Sequence, residues 1–161
     1  MESWDLSKFA IEDVFQMAVA VEQGGYDFYQ KIIDQTDNPR VKNEMKYLRD
    51  EEAKHKAFFA KNLEAKQSSS VSKGAPKKMS PAVKSLLEKE FLAPMEEMYK
   101  SKKIAKNDEA LRFGMRLEQK TIDFYEGLKK TQSDPAFLKD LGTVIDEEKK
   151  HKAALNLILA Y

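Results

Sequence analysis

The chain has 161 residues, of which 34% are charged, yet its formal net charge is only +1, and such a balance argues against a nucleic-acid or membrane-surface partner, which would favour one sign. There is no cysteine, so disulfides, zinc-thiolate sites, iron–sulfur clusters and thiol catalysis are excluded. The opening residues, MESWDLSKFAIEDVFQMA, lack a basic start followed by an apolar run, and no stretch reaches the roughly 18 to 20 apolar residues of a membrane span; one cytoplasmic domain is expected.

Only six glycines and five prolines occur, and charged helix formers fill most of the chain, which predicts long amphipathic helices. The first is expected from about Leu6 to about Gln35, with Ile11, Phe15, Ala18, Glu22, Tyr26, Tyr29 and Ile33 on one stripe. Residues 36–39 stop it and start a second helix, with Asn38 as N-cap and Pro39 in the first position. That helix is expected to run to about Lys66, with Val41, Met45, Leu48, Glu52, His55 and Phe59 inward. The polar run QSSSVSKGAPKKMS (67–80) reads as a flexible connector. Ser80-Pro81 caps a further helical stretch that Pro94 is expected to break, and the lysines around 100–106 are expected to face solvent. After Asn107-Asp108 a third long helix carries Leu111, Met115, Glu118, Ile122, Tyr125 and Leu128. Asp134-Pro135 caps a fourth, with Leu141, Val144, Glu148, His151, Leu155 and Ile158 inward.

The second half repeats the first in register. Glu118 follows Glu22 by 96 residues, and the same interval separates Glu148 from Glu52, His151 from His55 and Pro135 from Pro39. EQGGYDFY (22–29) matches EQKTIDFY (118–125), and DEEAKHKA (50–57) matches DEEKKHKA (146–153). The pattern predicts an all-α four-helix bundle of two repeated helical hairpins, 6–66 and 107–160. A helix of about 28 residues spans about 42 Å, and residues 67–106 are long enough to return along it. One long crossover containing an extra helix is therefore expected.

Each long helix places a carboxylate in the middle of its apolar stripe: Glu22, Glu52, Glu118 and Glu148. His55 and His151 follow two of them by three residues, so each Glu/His pair shares a helix face. Four ionised carboxylates inside a bundle would repel one another and each lose hydration worth several kcal/mol. No lysine or arginine falls on these stripes at that level. Two divalent cations would cancel the charge, with one imidazole nitrogen for each. A lone Glu-x-x-His in so charged a chain is ordinarily a solvated helix face. Two copies in register, each following an inward glutamate by 30 residues, point instead to metal.

The order Glu…Glu-x-x-His…Glu…Glu-x-x-His resembles the ferritin-like superfamily, whose di-iron and di-manganese bundles are known for this ligand set. The stretches AVEQGGYDFYQKI and RLEQKTIDFYEGL resemble its rubrerythrin branch; the likeness covers the four long helices and is weak over 67–105. The resemblance implies a di-iron centre in which Glu52 and Glu148 bridge two iron ions, Glu22 and Glu118 each bind one, and His55 and His151 complete the two shells. Manganese also suits these donors, and zinc can occupy such a site in purified protein. It further implies a di-iron oxidoreductase reducing hydrogen peroxide or dioxygen. The electrons would come from a separate donor protein such as a rubredoxin, since no cysteine-rich rubredoxin domain is expected in a chain without cysteine. A homodimer is implied as well, with a connector long enough for hairpin exchange. Where rubrerythrins carry a further ligand glutamate one turn after the third-helix glutamate, this chain has Thr121, and its repeat mate is Gly25. The same centre would also serve iron oxidation and storage, oxygenation of an organic substrate, or simply the stability of a partner-binding bundle.

Around these residues, Glu51 and Glu147 either fix the histidine tautomers by accepting from the non-ligating nitrogens or are solvated acids. Tyr29 and Tyr125, two turns beyond Glu22 and Glu118, either bond a ligand carboxylate, relay an electron, or are core tyrosines with satisfied hydroxyls. Met17, Met45 and Met115 read as core filler. Asp50, Asp146, Glu96 and Glu97 are not expected at the site.

Overall fold

A computed structural model of the protein describes residues 4–68 and 79–160; of the expected connector, residues 69–78 lie outside the described residues. Among the described residues six α-helices follow one another: α1 (Ile11–Gln35), α2 (Pro39–Ser68), α3 (Pro81–Leu87), α4 (Ala93–Lys100), α5 (Asn107–Lys129) and α6 (Pro135–Ala160). Among the described residues there is no strand. The expected caps form at three starts, at Ser80 through a bond that its Oγ accepts from Val83 N at 3.4 Å. Asn38 Oδ1 accepts from the amides of Arg40 and Val41 at 2.9 and 3.3 Å, and Asp134 Oδ2 accepts from Phe137 N at 3.1 Å. Each satisfies amide donors that a helix start leaves open. α5 begins at Asn107 itself, and its N-cap Lys106 makes no side-chain bond.

α1 pairs with α2, and α5 with α6, as two hairpins. Side-chain contacts fix how the hairpins face each other. Tyr29 reaches Glu118 while Tyr125 reaches Glu22, so numbering rises along α1 as it falls along α5. His55 meets Glu148 while His151 meets Glu52, so α2 and α6 also run antiparallel. It follows that α2 and α5 are parallel, and the chain between them must travel the length of the bundle. The long crossover is required by the topology. The core between the helices includes Phe15, Phe28, Phe59, Phe91 and Phe124, all fully buried, each contributing roughly 2–3 kcal/mol by removal from water.

Two elements differ from the sequence reading. Residues 4–10 do not extend α1. Asp5 Oδ1 accepts from both the amide and the hydroxyl of Ser7, a local bond that competes with helix, and Phe9 N closes a turn onto Leu6 O at 3.1 Å. The segment then lies across α5 at Gly127, where a Cβ would run into the backbone of Trp4. At the second place, Pro94 does not break the crossover helix. The chain passes from α3 to α4 through a π-helical turn, Glu88–Leu92, with Ala93 N–H donating to Glu88 O. Proline has no N–H for the Glu90 carbonyl; Lys120 Nζ from α5 donates to that carbonyl at 3.0 Å instead. The wider turn keeps Phe91 and Met95 on the buried face that carries Val83 and Leu87.

Candidate metal centre

The two Glu-x-x-His turns, on α2 and α6, and the two glutamates on α1 and α5 meet at one level of the bundle interior. All six side chains are buried. Their level is set by a contact that each hairpin makes on its own seam. Lys56 Nζ donates to Gln23 Oε1 at 2.6 Å, and Gln23 Nε2 to Asp27 Oδ1 at 2.8 Å. The second hairpin copies it: Lys152 Nζ to Gln119 Oε1 at 2.7 Å, and Gln119 Nε2 to Asp123 Oδ1 at 2.9 Å. The glutamines and lysines each follow a ligand candidate by one position, so they tie together the helices that must present Glu22 to Glu52 and Glu118 to Glu148. Sequence reasoning assigned them no role, although their own 96-residue spacing was visible in the repeat.

Two groups of donor atoms form. Glu22, Glu52, His55 and Glu148 make one, and Glu52, Glu118, Glu148 and His151 the other; in each, one donor atom per residue lies within 4.8 Å of all the rest. Glu52 and Glu148 belong to both. His55 Nδ1 lies 2.6 Å from Glu148 Oε1 and 3.7 Å from Glu22 Oε2. His151 Nδ1 lies 3.0 Å from Glu52 Oε1, 3.6 Å from Glu118 Oε1 and 3.4 Å from Glu148 Oε2. The imidazoles thus turn Nδ1 inward on both sides. Glu22 Oε2, Glu118 Oε2 and Glu148 Oε2 are buried without a hydrogen-bond partner. Orphaned acceptors at this depth cost about 1–3 kcal/mol each, more when charged, and a cation is what such a donor set fits.

The protonation of the cluster carries the same message. Burial, and then the neighbouring carboxylates, push Glu52 and Glu148 well above the usual carboxylate range. Burial works to lower the His151 value, but the Glu118 and Glu52 carboxylates outweigh it and hold His151 up to about 10. His55 is raised too, burial again opposing and Glu22 prevailing. Glu118 moves the other way: burial opposes, but hydrogen bonds with Glu148, His151 and Tyr29 hold it below the usual carboxylate value.

Tyr29 and Tyr125 are fully buried, and each bonds a glutamate of the opposite hairpin. The Tyr29 hydroxyl donates to Glu118 Oε1, and the Tyr125 hydroxyl to Glu22 Oε1 at 2.5 Å. Burial, then the carboxylates, hold both phenols well above their ordinary value, so they remain donors. Glu147 Oε1 stands 3.6 Å from His55 Nε2, so it approaches the histidine of the other hairpin and not the one four residues along its own helix. Glu51 accepts from Tyr47 at 3.0 Å and pairs with Lys54 at 3.3 Å. Thr121 is buried and spends its hydroxyl on Leu117 O at 2.9 Å. At Gly25 a Cβ would stand 3.3 Å from Glu52 Oε2, leaving little room for a longer side chain beside that carboxylate. Asp50, Asp146, Glu96 and Glu97 are exposed.

No curated protein matches the chain. A crystal structure from Thermotoga maritima, described as that of a candidate ferritin-like diiron-carboxylate protein, has the same fold. The match has a TM-score of 0.65 at 20% identity and covers 99% of this chain and 97% of the other. No helix among the described residues is long and apolar enough to cross a membrane. The sequence profile of the Rubrerythrin family matches residues 13–159. With an all-α bundle that gathers carboxylates and imidazoles into two overlapping donor groups, the chain belongs to the rubrerythrin family.

Proposed function

We propose that Glu22, Glu52, His55, Glu118, Glu148 and His151 hold two iron ions, and that the protein reduces hydrogen peroxide or dioxygen with electrons from a separate donor protein. The observation that carries this reading is the overlap of the two donor groups at Glu52 and Glu148, which is what two bridging carboxylates require. When bound, a ferrous pair supplies two electrons together, enough to cleave an oxygen–oxygen bond. The chain's own residues do the rest. The tyrosines hold one oxygen each of Glu118 and Glu22, leaving Oε2 of both free to face an ion. Nδ1 of each histidine faces the cluster, and the Glu147 carboxylate stands 3.6 Å from Nε2 of His55, where its charge favours a proton on the ring. The burial of all six donors keeps bulk water from the reacting site.

Peroxide added to the reduced, iron-loaded protein is expected to produce ferric di-iron absorption within seconds. A spectrum that peroxide leaves unchanged would refute the reading.

A further inference from the structure

We propose that Trp4, Phe124 and Tyr125 form an electron relay between the protein surface and the metal centre. Trp4 receives electrons from an external one-electron donor, and Tyr125 delivers them at Glu22. This rests on the redox function proposed above and adds the route by which electrons arrive.

Trp4 is the only tryptophan of the chain. It is half-buried, on the segment that crosses α5. Its ring lies 5.5 Å from that of Phe124, and Phe124 lies 5.2 Å from Tyr125. Tyr125 then donates its hydroxyl hydrogen to Glu22. The path therefore runs through ring contacts from a partly solvated indole to a carboxylate of the site. Indole and phenol are the side chains most easily oxidised by one electron in a chain without cysteine. Phe91 supports the indole from a second side, edge to face at 5.6 Å.

The repeat provides an internal comparison. Phe28 and Tyr29 are the mates of Phe124 and Tyr125, and Tyr29 bonds Glu118 in the same way. On that side, however, Phe28 leads to Phe113 at 5.3 Å, and no indole follows. The difference traces to Gly127, which lets the backbone of Trp4 approach α5; its mate is Lys31. Only one of the two tyrosines is thus wired outward.

The electron count closes as follows. The oxidant is a hydrogen peroxide that reaches the site after the metal pair has given up its own two electrons. It becomes two waters by taking two protons from solvent and two electrons, one at a time, from Tyr125. The phenolic proton moves to Glu22 Oε1 as the neutral tyrosyl radical forms. Trp4 passes an electron to that radical through Phe124, and the proton returns from Glu22 to the phenolic oxygen. The indole radical cation releases its N–H proton to water and is restored by the external donor with uptake of a proton. Without a donor, the radical persists on Trp4 and reacts there with dioxygen.

The test exposes reduced, iron-loaded full-length protein to a few equivalents of hydrogen peroxide in air, without a donor. Absorption follows the centre, and peptide mass spectrometry reads oxygen added to Trp4, expressed per centre oxidised. Wild-type protein is expected to oxidise Trp4, and ascorbate, as a small one-electron donor, to suppress it. Tyr125→Phe should lower the ratio several-fold, whereas Tyr29→Phe should not. If the centre oxidises while Trp4 stays intact, the relay is wrong and the function stands. The relay is equally overturned if both tyrosine variants, or metal-free protein, oxidise Trp4 as the wild type does. If the absorption never changes, the redox function falls and the relay with it.

Discussion

Glu52 and Glu148 show how far the site departs from an ordinary bundle core. Each is buried beside other carboxylates, which holds its proton well above the usual range, burial being the larger cause. Glu52→Gln keeps the shape and removes the charge. The variant is expected to bind fewer than two ions, and its metal-free form should lose less stability than metal-free wild type as pH rises, because a buried carboxyl that ionises less readily folded than unfolded has gone. Metal analysis and thermal melts check both halves. The pH dependence has a definite sign. Glu52, Glu148 and His151 all bind protons more tightly folded than unfolded, so they stabilise the metal-free fold fully below their ordinary values. For the histidine this contribution is lost as pH rises from 6.5 towards about 10; for the carboxyls the loss begins above 4.5. Metal-free protein should therefore melt progressively lower from about pH 6 to about pH 9. Metal, which displaces those protons, should raise the melting point more at the upper end. A metal-free melting point that climbs over this range would contradict the assignment.

Among the elements, the crossover helix makes its own prediction. Pro94 leaves the Glu90 carbonyl without its helical donor, and Lys120 fills the gap while also standing 3.3 Å from Glu90 Oε2. Lys120→Met should cost about 1–2 kcal/mol in denaturant unfolding, the value of a part-buried carbonyl left unpaired; an unchanged midpoint would show that water satisfies it. The cap residues Asn38, Ser80 and Asp134, and the inward stripes of α2 and α6, could be read from spacing because their cause is local. The N-terminal turn and the π turn could not. The first depends on Gly127, more than a hundred residues away, and the second on a lysine donated by another helix. The partner of Glu147 was hidden for the same reason: helix geometry pointed to His151, but packing of α6 against α2 brings His55 to it.

For the molecule as a whole, the 96-residue repeat made both the fold and the six inward donors legible, since a repeated acid on an apolar stripe has few physical explanations. The pairing between hairpins was less so. Which tyrosine meets which glutamate, and which histidine meets which bridging candidate, follows from antiparallel contacts that no periodicity encodes. The asymmetry between the halves, with Trp4 on one side alone, also appears only once the chain is folded. All of this turns on whether the cluster is a two-ion site. Anaerobic titration of metal-free protein with iron(II) or manganese(II), reading bound metal and released protons together, tests that most directly. Two ions per chain, with protons released and with Glu52→Gln binding fewer, is the expected result. Binding of no ion, or binding that Glu52→Gln and Glu148→Gln leave undiminished, would contradict it.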